Sequence, residues 1–115
     1  MNIEELRDYA LSKTHAEESL PFGPDTLVFK VSGKIFLLIS LNDQPLHFNA
    51  KCDPDKAIEL RDQYSSVQPG YHMNKKHWNT ISIDGSLTNK QLKELVDHSY
   101  SLVALKPKKQ SGNLL

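Results

Sequence analysis

The chain is organised around one stretch, Gly70-Tyr-His-Met-Asn-Lys-Lys-His-Trp-Asn-Thr-Ile-Ser-Ile-Asp-Gly85. This stretch holds two of the five histidines, the single tryptophan and a pair of lysines, and its first acidic residue is Asp84. The pattern predicts a short strand over residues 71–73, a basic turn over residues 74–77, and a second strand over residues 78–83 that Asp-Gly closes. We therefore expect the turn between these two strands to present the two lysines.

The length and the charge distribution limit the possible organisation of the chain. With 115 residues the chain is one domain, which we place at residues 1–105, followed by a basic, flexible tail at residues 106–115. The formal net charge is zero, but residues 1–62 carry 7 Lys+Arg against 11 Asp+Glu (−4), and residues 63–115 carry 7 against 3 (+4). Such a split favours an acidic and a basic surface on one small body.

Cysteine usage and hydropathy indicate the compartment. The single cysteine, Cys52, rules out an internal disulfide and fits a reducing compartment. The longest apolar run, from Ile35 to Ile39, is too short to span a bilayer. We therefore expect a cytoplasmic protein with no membrane partner.

Three helices are predicted from their capping signals. Asn2 with Glu5, and Thr88 with Gln91, match the capping box, in which two side chains and two backbone N–H groups bond reciprocally. Asp53 is followed by proline, which places an N-cap before the first position of a helix. The second helix is expected to end near residue 64 and the third near residue 106.

The strands predicted before the central stretch cover residues 26–31, 34–41 and 46–51, and residues 13–25 are predicted to form a loop. The order of elements is therefore α-βββ-α-ββ-α. Strands joined by hairpins imply an antiparallel sheet, and three one-sided helices can cover only one of its faces. The expected fold is α+β, with two layers: an antiparallel sheet of about five strands, and helices on one face.

Alternation of side chains assigns residues to the two faces of this sheet. Ile81 and Ile83 are expected to face the helices, which places Trp78 on the opposite, open face. We expect Trp78 to be at least partly accessible there, unless another element or a partner covers it. The same alternation turns Ile35 towards the helices and Phe36 towards the open face.

Three blocks of the sequence resemble the MmcQ/YjbR family: Met73-Asn-Lys-Lys-His-Trp-Asn-Thr80, Asp84-Gly-Ser86 and Asp97-His-Ser-Tyr-Ser-Leu-Val103. The segment Pro21–Phe36 fits the same family, so the resemblance covers nearly the whole chain. It implies a two-layer domain of the type shared with secretion chaperones and a likeness to CyaY-like, frataxin-related bacterial proteins. Ser101 departs from the pattern, because the family more often has an acidic residue there.

The resemblance implies DNA binding through a pair of loop-and-strand wings. Carried over to this sequence, the site consists of His72, Asn74, Lys75, Lys76, His77 and Trp78. The residue types agree with that reading, because lysines neutralise phosphates and an aromatic ring can stack on a nucleobase. We expect weak binding to DNA that is largely independent of its sequence.

Two other kinds of partner remain open. A protein or peptide could occupy the same open face, because tryptophan and tyrosine are common interface anchors. Frataxin-like metal handling is the third hypothesis, and His72 and His77 are close enough in sequence to meet at one ion. A metal site needs a third or fourth ligand, and the nearest carboxylate in sequence belongs to Asp84. We therefore predict no metal ligands.

The sequence contains no pattern typical of an enzyme. It has no nucleophile motif, no phosphate-binding glycine loop and no pair of metal-binding cysteines. Cys52 precedes a helix N-terminus, which can lower a thiol pKa, although a buried, inert thiol is the expected state. His98 is expected to be a packed or helix-surface histidine. We predict a binding protein with no catalytic residues and no cofactor.

Overall fold

The computed structural model describes residues 1–70 and 73–104, so Tyr71, His72 and the tail predicted at residues 106–115 lie outside the described residues. No helix within these ranges is both long enough and apolar enough to cross a membrane. The helices are α1 (Ile3–Leu11), α2 (Pro54–Gln63) and α3 (Asn89–Val103). The strands are β1 (Glu17–Ser19), β2 (Thr26–Val31), β3 (Lys34–Ser40), β4 (His47–Lys51), β5 (Val67–Pro69) and β6 (Trp78–Ser82).

Each helix begins at the capping residue that the sequence indicates. Asn2 Oδ1 accepts the amide of Glu5 at 2.8 Å, and Glu5 Oε1 accepts the amide of Asn2 at 3.0 Å. Thr88 and Gln91 make the same exchange at the start of α3, at 3.1 and 2.8 Å. Asp53 caps α2, whose first residue is proline. A cap of this kind stabilises a helix by about 1 kcal/mol, because it bonds N–H groups that otherwise lack a partner.

The six strands form one antiparallel sheet in the order β1-β2-β3-β4-β6-β5. A row of apolar residues crosses its centre, where Ile39 pairs with Phe48, Phe48 with Ile81, and Ile81 with Val67. All four are buried in the core shared with the three helices. The predicted α+β fold and order of elements are confirmed, with six strands instead of about five.

Two strands differ from the predicted elements. β1 lies inside the segment predicted as a loop and pairs with β2. The three residues of β1 are too few to show an alternating pattern. β5 occupies Val67–Pro69, upstream of the strand predicted at residues 71–73, and Met73 lies in the following turn. Val67 is buried opposite Ile81, so its side chain extends the row of apolar residues to the edge strand β5.

A β-bulge in β3 reverses the predicted orientation of two side chains. Phe29 pairs with Leu37 and the next residue, Lys30, pairs with Ile35, so Phe36 is an extra residue on β3. Phe36 therefore faces the helices, where it is fully buried and its ring packs against α3. Ile35 lies on the open face instead. The prediction was wrong for both residues because a period of two does not continue through an inserted residue.

Apolar clusters occupy both faces of the sheet. The larger cluster lies between the sheet and the helices and includes all the buried apolar residues of α1 and α3. The smaller cluster, on the face away from the helices, consists of Val28, Leu38 and Trp78, with Ile35 and Met73 packed against it. The open face therefore carries a small apolar core of its own.

The four consecutive side chains of the block Asp97-His-Ser-Tyr100 each make a hydrogen bond between α3 and another part of the fold. Three of the contacts reach α1 and the turn after it, one reaches the sheet, and one reaches the start of α2. Asp97 Oδ1 accepts Tyr9 Oη at 2.5 Å and pairs with Lys13, His98 Nε2 accepts Asp53 N at 3.1 Å, Ser99 Oγ donates to the Phe36 carbonyl, and Tyr100 Oη donates to the Thr14 carbonyl at 2.6 Å. This block of the family resemblance is therefore structural.

Candidate functional site

The antiparallel register collects lysines at one end of the sheet. β2 and β4 end at this end, and β3 and β6 begin there. We call it the lysine end, and it comprises Lys30, Lys34, Lys51, Lys75 and Lys76. The predicted basic turn supplies two of these five residues, and the other three lie at strand ends.

The opposite end of the sheet carries aspartates, and we call it the aspartate end. Asp25 precedes β2, Asp43 lies between β3 and β4, and Asp84 follows β6. The two hydrogen bonds that Asp84 accepts lower the pKa of its carboxyl group. Each carboxylate has a nearby partner: Asp25 Oδ1 accepts Asn42 Nδ2 at 2.6 Å, Asp43 Oδ2 lies 3.0 Å from His47 Nε2, and Asp84 Oδ1 accepts Ser86 N at 3.0 Å and Ser86 Oγ at 2.7 Å.

The basic turn at residues 74–77 is held by its own first residue. Asn74 Oδ1 accepts the amide of Lys76 at 2.9 Å, and the Asn74 carbonyl accepts the amide of His77 at 3.1 Å. Asparagine favours such turns because its side chain bonds the backbone two residues ahead. Lys75 and Lys76 are exposed and His77 is partly buried. The Asn74 side-chain oxygen therefore serves the turn, which displays the two lysines.

Lys51 lies beside this turn, although it was not among the residues predicted for the site. Its Cα partner in the β4–β6 pairing is Trp78. The next residue, Cys52, donates its amide to the His77 carbonyl at 2.8 Å. Lys51 is separated from the turn by a helix and a strand in sequence, so no local pattern could have identified it.

The lysines of the lysine end form no ion pair with a carboxylate within the described part of the chain. The described residues form three ion pairs, and none of them includes a lysine of the lysine end. Acidic residues at this end include Glu17, the Cα partner of Lys30, and Asp53, whose carboxylate accepts the amide of Lys56 at 3.2 Å as the cap of α2. Asp55 lies in the first turn of the same helix. The lysine end is therefore a predominantly positive surface.

Trp78 lies on the predicted face of the sheet, but it is buried. It is 8% exposed and packs with Val28 and Leu38, and Met73 packs against the same cluster. Gly70 approaches so closely that a Cβ atom there would lie 3.0 Å from Trp78 Cβ. The predicted partial accessibility of Trp78 is not observed, because another element, the turn that contains Met73, packs against its cluster. An indole buried to this extent offers no free ring face to a nucleobase.

Arg61 of α2 holds the turn through hydrogen bonds, although it was not among the residues predicted for the site. Its Nε donates to Asn79 Oδ1 at 2.7 Å, and its Nη2 donates to the Lys75 carbonyl and, at 3.3 Å, to the Trp78 carbonyl. Asn79 is buried, and its Nδ2 lies 3.5 Å from the Ala57 carbonyl. In sequence, Arg61 looks like an ordinary surface residue of an amphipathic helix, so nothing local indicates these contacts.

Cys52 and His98 have structural roles near this end. Cys52 is 4% exposed, and burial raises the pKa of its thiol, which confirms the expected buried cysteine. His98 accepts the amide of Asp53 through Nε2. Burial, with a smaller contribution from the charge of Lys56, lowers the pKa of the His98 imidazole. The neutral ring is the form that accepts this hydrogen bond.

Within residues 1–70 and 73–104, no three His, Cys, Asp or Glu side chains gather in a group that could hold a metal ion. The hypothesis that two histidines meet at one ion involves His72, which lies outside the described residues, and His77. On α1, the carboxylate of Glu5 belongs to the capping box.

The sequence matches the YjbR family over residues 11–102. It is 41% identical over 101 residues to the uncharacterized protein YbdF of Escherichia coli, a match that covers 87% of this chain and 82% of YbdF. It is 37% identical over 100 residues to the uncharacterized protein YjbR of Escherichia coli, covering 87% of this chain and 85% of YjbR.

Two solved structures share the fold. The crystal structure of protein DR2400 from Deinococcus radiodurans matches with a TM-score of 0.86 and 37% identity, over 94% of this chain and 82% of that one. The crystal structure of a protein from Pseudomonas syringae matches with a TM-score of 0.77 and 29% identity, over 90% of this chain and 99% of that one. The family match, the sequence relatives and the shared fold agree, and the chain belongs to the YjbR family.

Proposed function

We propose that this protein binds nucleic acid through the lysine end and contacts the phosphate backbone in preference to the bases. The observation that carries the proposal is the gathering of five lysines at one end of the sheet, with no carboxylate paired to any of them among the described residues. Binding, and not catalysis, is the activity we propose.

Two projecting loops and one strand end supply the cations. The β2–β3 hairpin turns through Ser32 and Gly33, both with positive φ angles (53° and 79°), and carries Lys34 directly after the turn. The Asn74–His77 turn carries Lys75 and Lys76. Lys51 is the last residue of β4, the strand that lies between β3 and β6. This arrangement fits the pair of wings that the family resemblance implies.

The electrostatics of this surface set the expected strength of binding. Each phosphate that a lysine neutralises releases condensed counterions, so three or four contacts give a slope of log K against log salt of roughly −3 to −4. Contacts to phosphates carry little sequence information. We therefore expect affinities on the order of micromolar or weaker at physiological salt, with similar values for unrelated duplexes.

Trp78 supports this surface from below and takes no direct part in binding. A buried indole cannot stack on a base without opening the cluster formed with Val28 and Leu38. Stacking on aromatic residues is what favours single strands at many sites. The proposed interface should therefore show no preference for single-stranded over duplex DNA.

Fluorescence anisotropy with a labelled 20-bp duplex at several salt concentrations from about 20 to 200 mM tests the proposal, because phosphate contacts are strongest at low salt. The double variant Lys75→Ala/Lys76→Ala should make the salt slope less steep by about 2. Lys90→Ala/Lys93→Ala, on exposed positions of α3, removes the same charge elsewhere and should leave the slope unchanged. Absence of binding at the lowest salt would reject the proposal, and equal effects of both variants would reject the location.

A protein partner is the second candidate function, and a different surface favours it. The apolar residues of the open face largely pack against one another in the smaller cluster. Phe22 and Leu20, between β1 and β2, are in contrast 64% and 50% exposed. Adjacent exposed apolar side chains are typical of interaction sites. If they anchor a partner, Leu20→Ser/Phe22→Ser should abolish its capture and leave the salt slope with duplex DNA unchanged. If the double variant captures the same proteins as the wild type, this candidate is excluded.

A further inference from the structure

We infer that Arg61 is a positioning residue for the lysine end: it holds the Asn74–His77 turn in the shape that binds, and does not itself contact the ligand. The inference deepens the proposed function, and its structural part can be tested separately. Three acceptors support it, namely the Asn79 side-chain oxygen and the backbone carbonyls of Lys75 and Trp78. These acceptors lie in and directly after the turn.

The geometry of these contacts requires a guanidinium group. Nε and Nη2 of Arg61 reach a buried side chain and two carbonyls at the same time, and the planar, fixed arrangement of donors makes this possible. A lysine at this position would retain the charge, but its single ammonium group lacks this arrangement of donors. Charge and positioning can therefore be separated by one conservative substitution.

The contacts also attach the exposed tip of the turn to the rest of the fold. Lys75 and Lys76 have exposed side chains, and the only turn-internal bonds in the described structure are the two that Asn74 accepts. Arg61 attaches the tip to α2 through the Lys75 carbonyl. Because a pre-ordered loop loses less conformational entropy on binding, its affinity is higher than that of the same loop in a mobile state.

The direct structural test is amide hydrogen exchange in Arg61→Lys, Arg61→Gln and a matched control, Arg7→Gln. Arg7 lies on α1 and pairs with Glu18, so the control removes a cation and an ion pair away from the turn. We expect the amides of Lys76 and His77 to exchange at least about tenfold faster in both Arg61 variants, as expected for local opening. Their exchange should be unchanged in the control. Wild-type exchange rates in Arg61→Lys would overturn the inference.

Binding supplies a second, independent readout, in the same titration with the labelled duplex. Both Arg61 variants should weaken binding by roughly 3- to 30-fold, the range expected from reordering a few side chains, and both should keep the wild-type salt slope. If Arg61 contacted a phosphate itself, Arg61→Gln would make the slope less steep by about 1 and Arg61→Lys would restore it. That result would overturn the positioning role.

The two readouts distinguish failure of this inference from failure of the proposed function. If the wild-type protein binds no duplex, the proposed function fails, and the exchange of Lys76 and His77 still decides whether Arg61 positions the turn. If the wild type binds and the Arg61 variants bind equally well, the positioning role fails and the proposed function stands. Exchange is measured at a temperature where urea titrations show every variant to be folded, so that global unfolding does not contribute.

Discussion

The two ends of the sheet use their charged residues in opposite ways. At the aspartate end, Asp43 and Asp84 have partners two or four residues ahead, and Asp25 accepts a hydrogen bond from Asn42, on the segment that follows β3. At the lysine end, none of the five lysines is paired with a carboxylate in the described part of the chain. The aspartates therefore stabilise the segments that flank the strands, whereas the lysines form no ion pair in the described part of the chain.

Trp78→Ala should have the largest effect, and it should act on stability. Removing a buried aromatic side chain from the cluster with Val28 and Leu38 is expected to lower the free energy of unfolding by about 3–5 kcal/mol. Urea denaturation followed by circular dichroism measures this loss. Phe22→Ala is the matched control, because Phe22 is 64% exposed and should change the free energy by less than about 0.5 kcal/mol. A Trp78→Ala variant as stable as the wild type would show that the indole is not part of a core.

Lys51→Ala should have the next largest effect, and it should act on binding alone. Lys51 lies beside Trp78 at the end of β4, so we expect one phosphate contact from it. The salt slope with duplex DNA should become less steep by about 1, with the affinity at low salt reduced by roughly tenfold. Lys90→Ala serves as the control of equal charge. If the two variants have the same salt slope, the lysine end does not extend beyond the turn.

How much the sequence could predict depends on whether the signal was local. The caps at Asn2, Asp53 and Thr88 are formed by residues within one helical turn, and all three were predicted correctly. The lysines of the central turn were also evident, because Lys75 and Lys76 are adjacent in sequence. Local chemistry therefore predicted the order of elements and two of the five lysines of the candidate site.

The remaining features depend on contacts between distant segments. The bulge at Phe36 exists because of how β2 and β3 pair, and it reversed a face assignment based on alternation. Trp78 is buried because Met73 packs against its cluster, and Arg61 reaches the turn from a different element. Lys51 joins the site only through strand register. None of these contacts leaves a periodic signal in the sequence.

Acidification should lower the free energy of unfolding through His98, near the lysine end, by less than the Trp78→Ala substitution does. The folded-state pKa of His98 is lowered by burial, so the folded protein binds fewer protons at this site than the unfolded chain. The stability that His98 contributes is therefore fully present above the unfolded pKa of about 6.5 and is lost as the pH falls towards the folded pKa.

Urea titrations at pH 7.5 and pH 5.0 measure this dependence, because the two pH values lie on either side of the unfolded histidine pKa of about 6.5. His98→Gln is the control, because its side-chain oxygen can accept the Asp53 amide without titrating. The variant should lose less stability between the two pH values than the wild type does. An equal loss in both proteins would assign the pH dependence to other groups.

Asp25→Asn should have the smallest effect on binding, because it lies at the opposite end of the sheet. A strand of seven residues separates the ends by roughly 20 Å, which is more than twice the screening length of about 8 Å at physiological salt. We expect the affinity for duplex DNA to change by less than about twofold. A larger change in the anisotropy titration would mean that the ligand extends to the aspartate end.

A nuclear magnetic resonance titration of the ¹⁵N-labelled protein with a short duplex tests most directly whether the lysine end binds nucleic acid. We expect amide shifts to change at the lysine end, in the β2–β3 hairpin, at Lys51 and in the Asn74–His77 turn. Amides around Asn42 and Asp84, at the aspartate end, should stay unchanged. Shifts concentrated at the aspartate end or around Phe22, or no shifts at low salt, would contradict the claim that the lysine end binds nucleic acid.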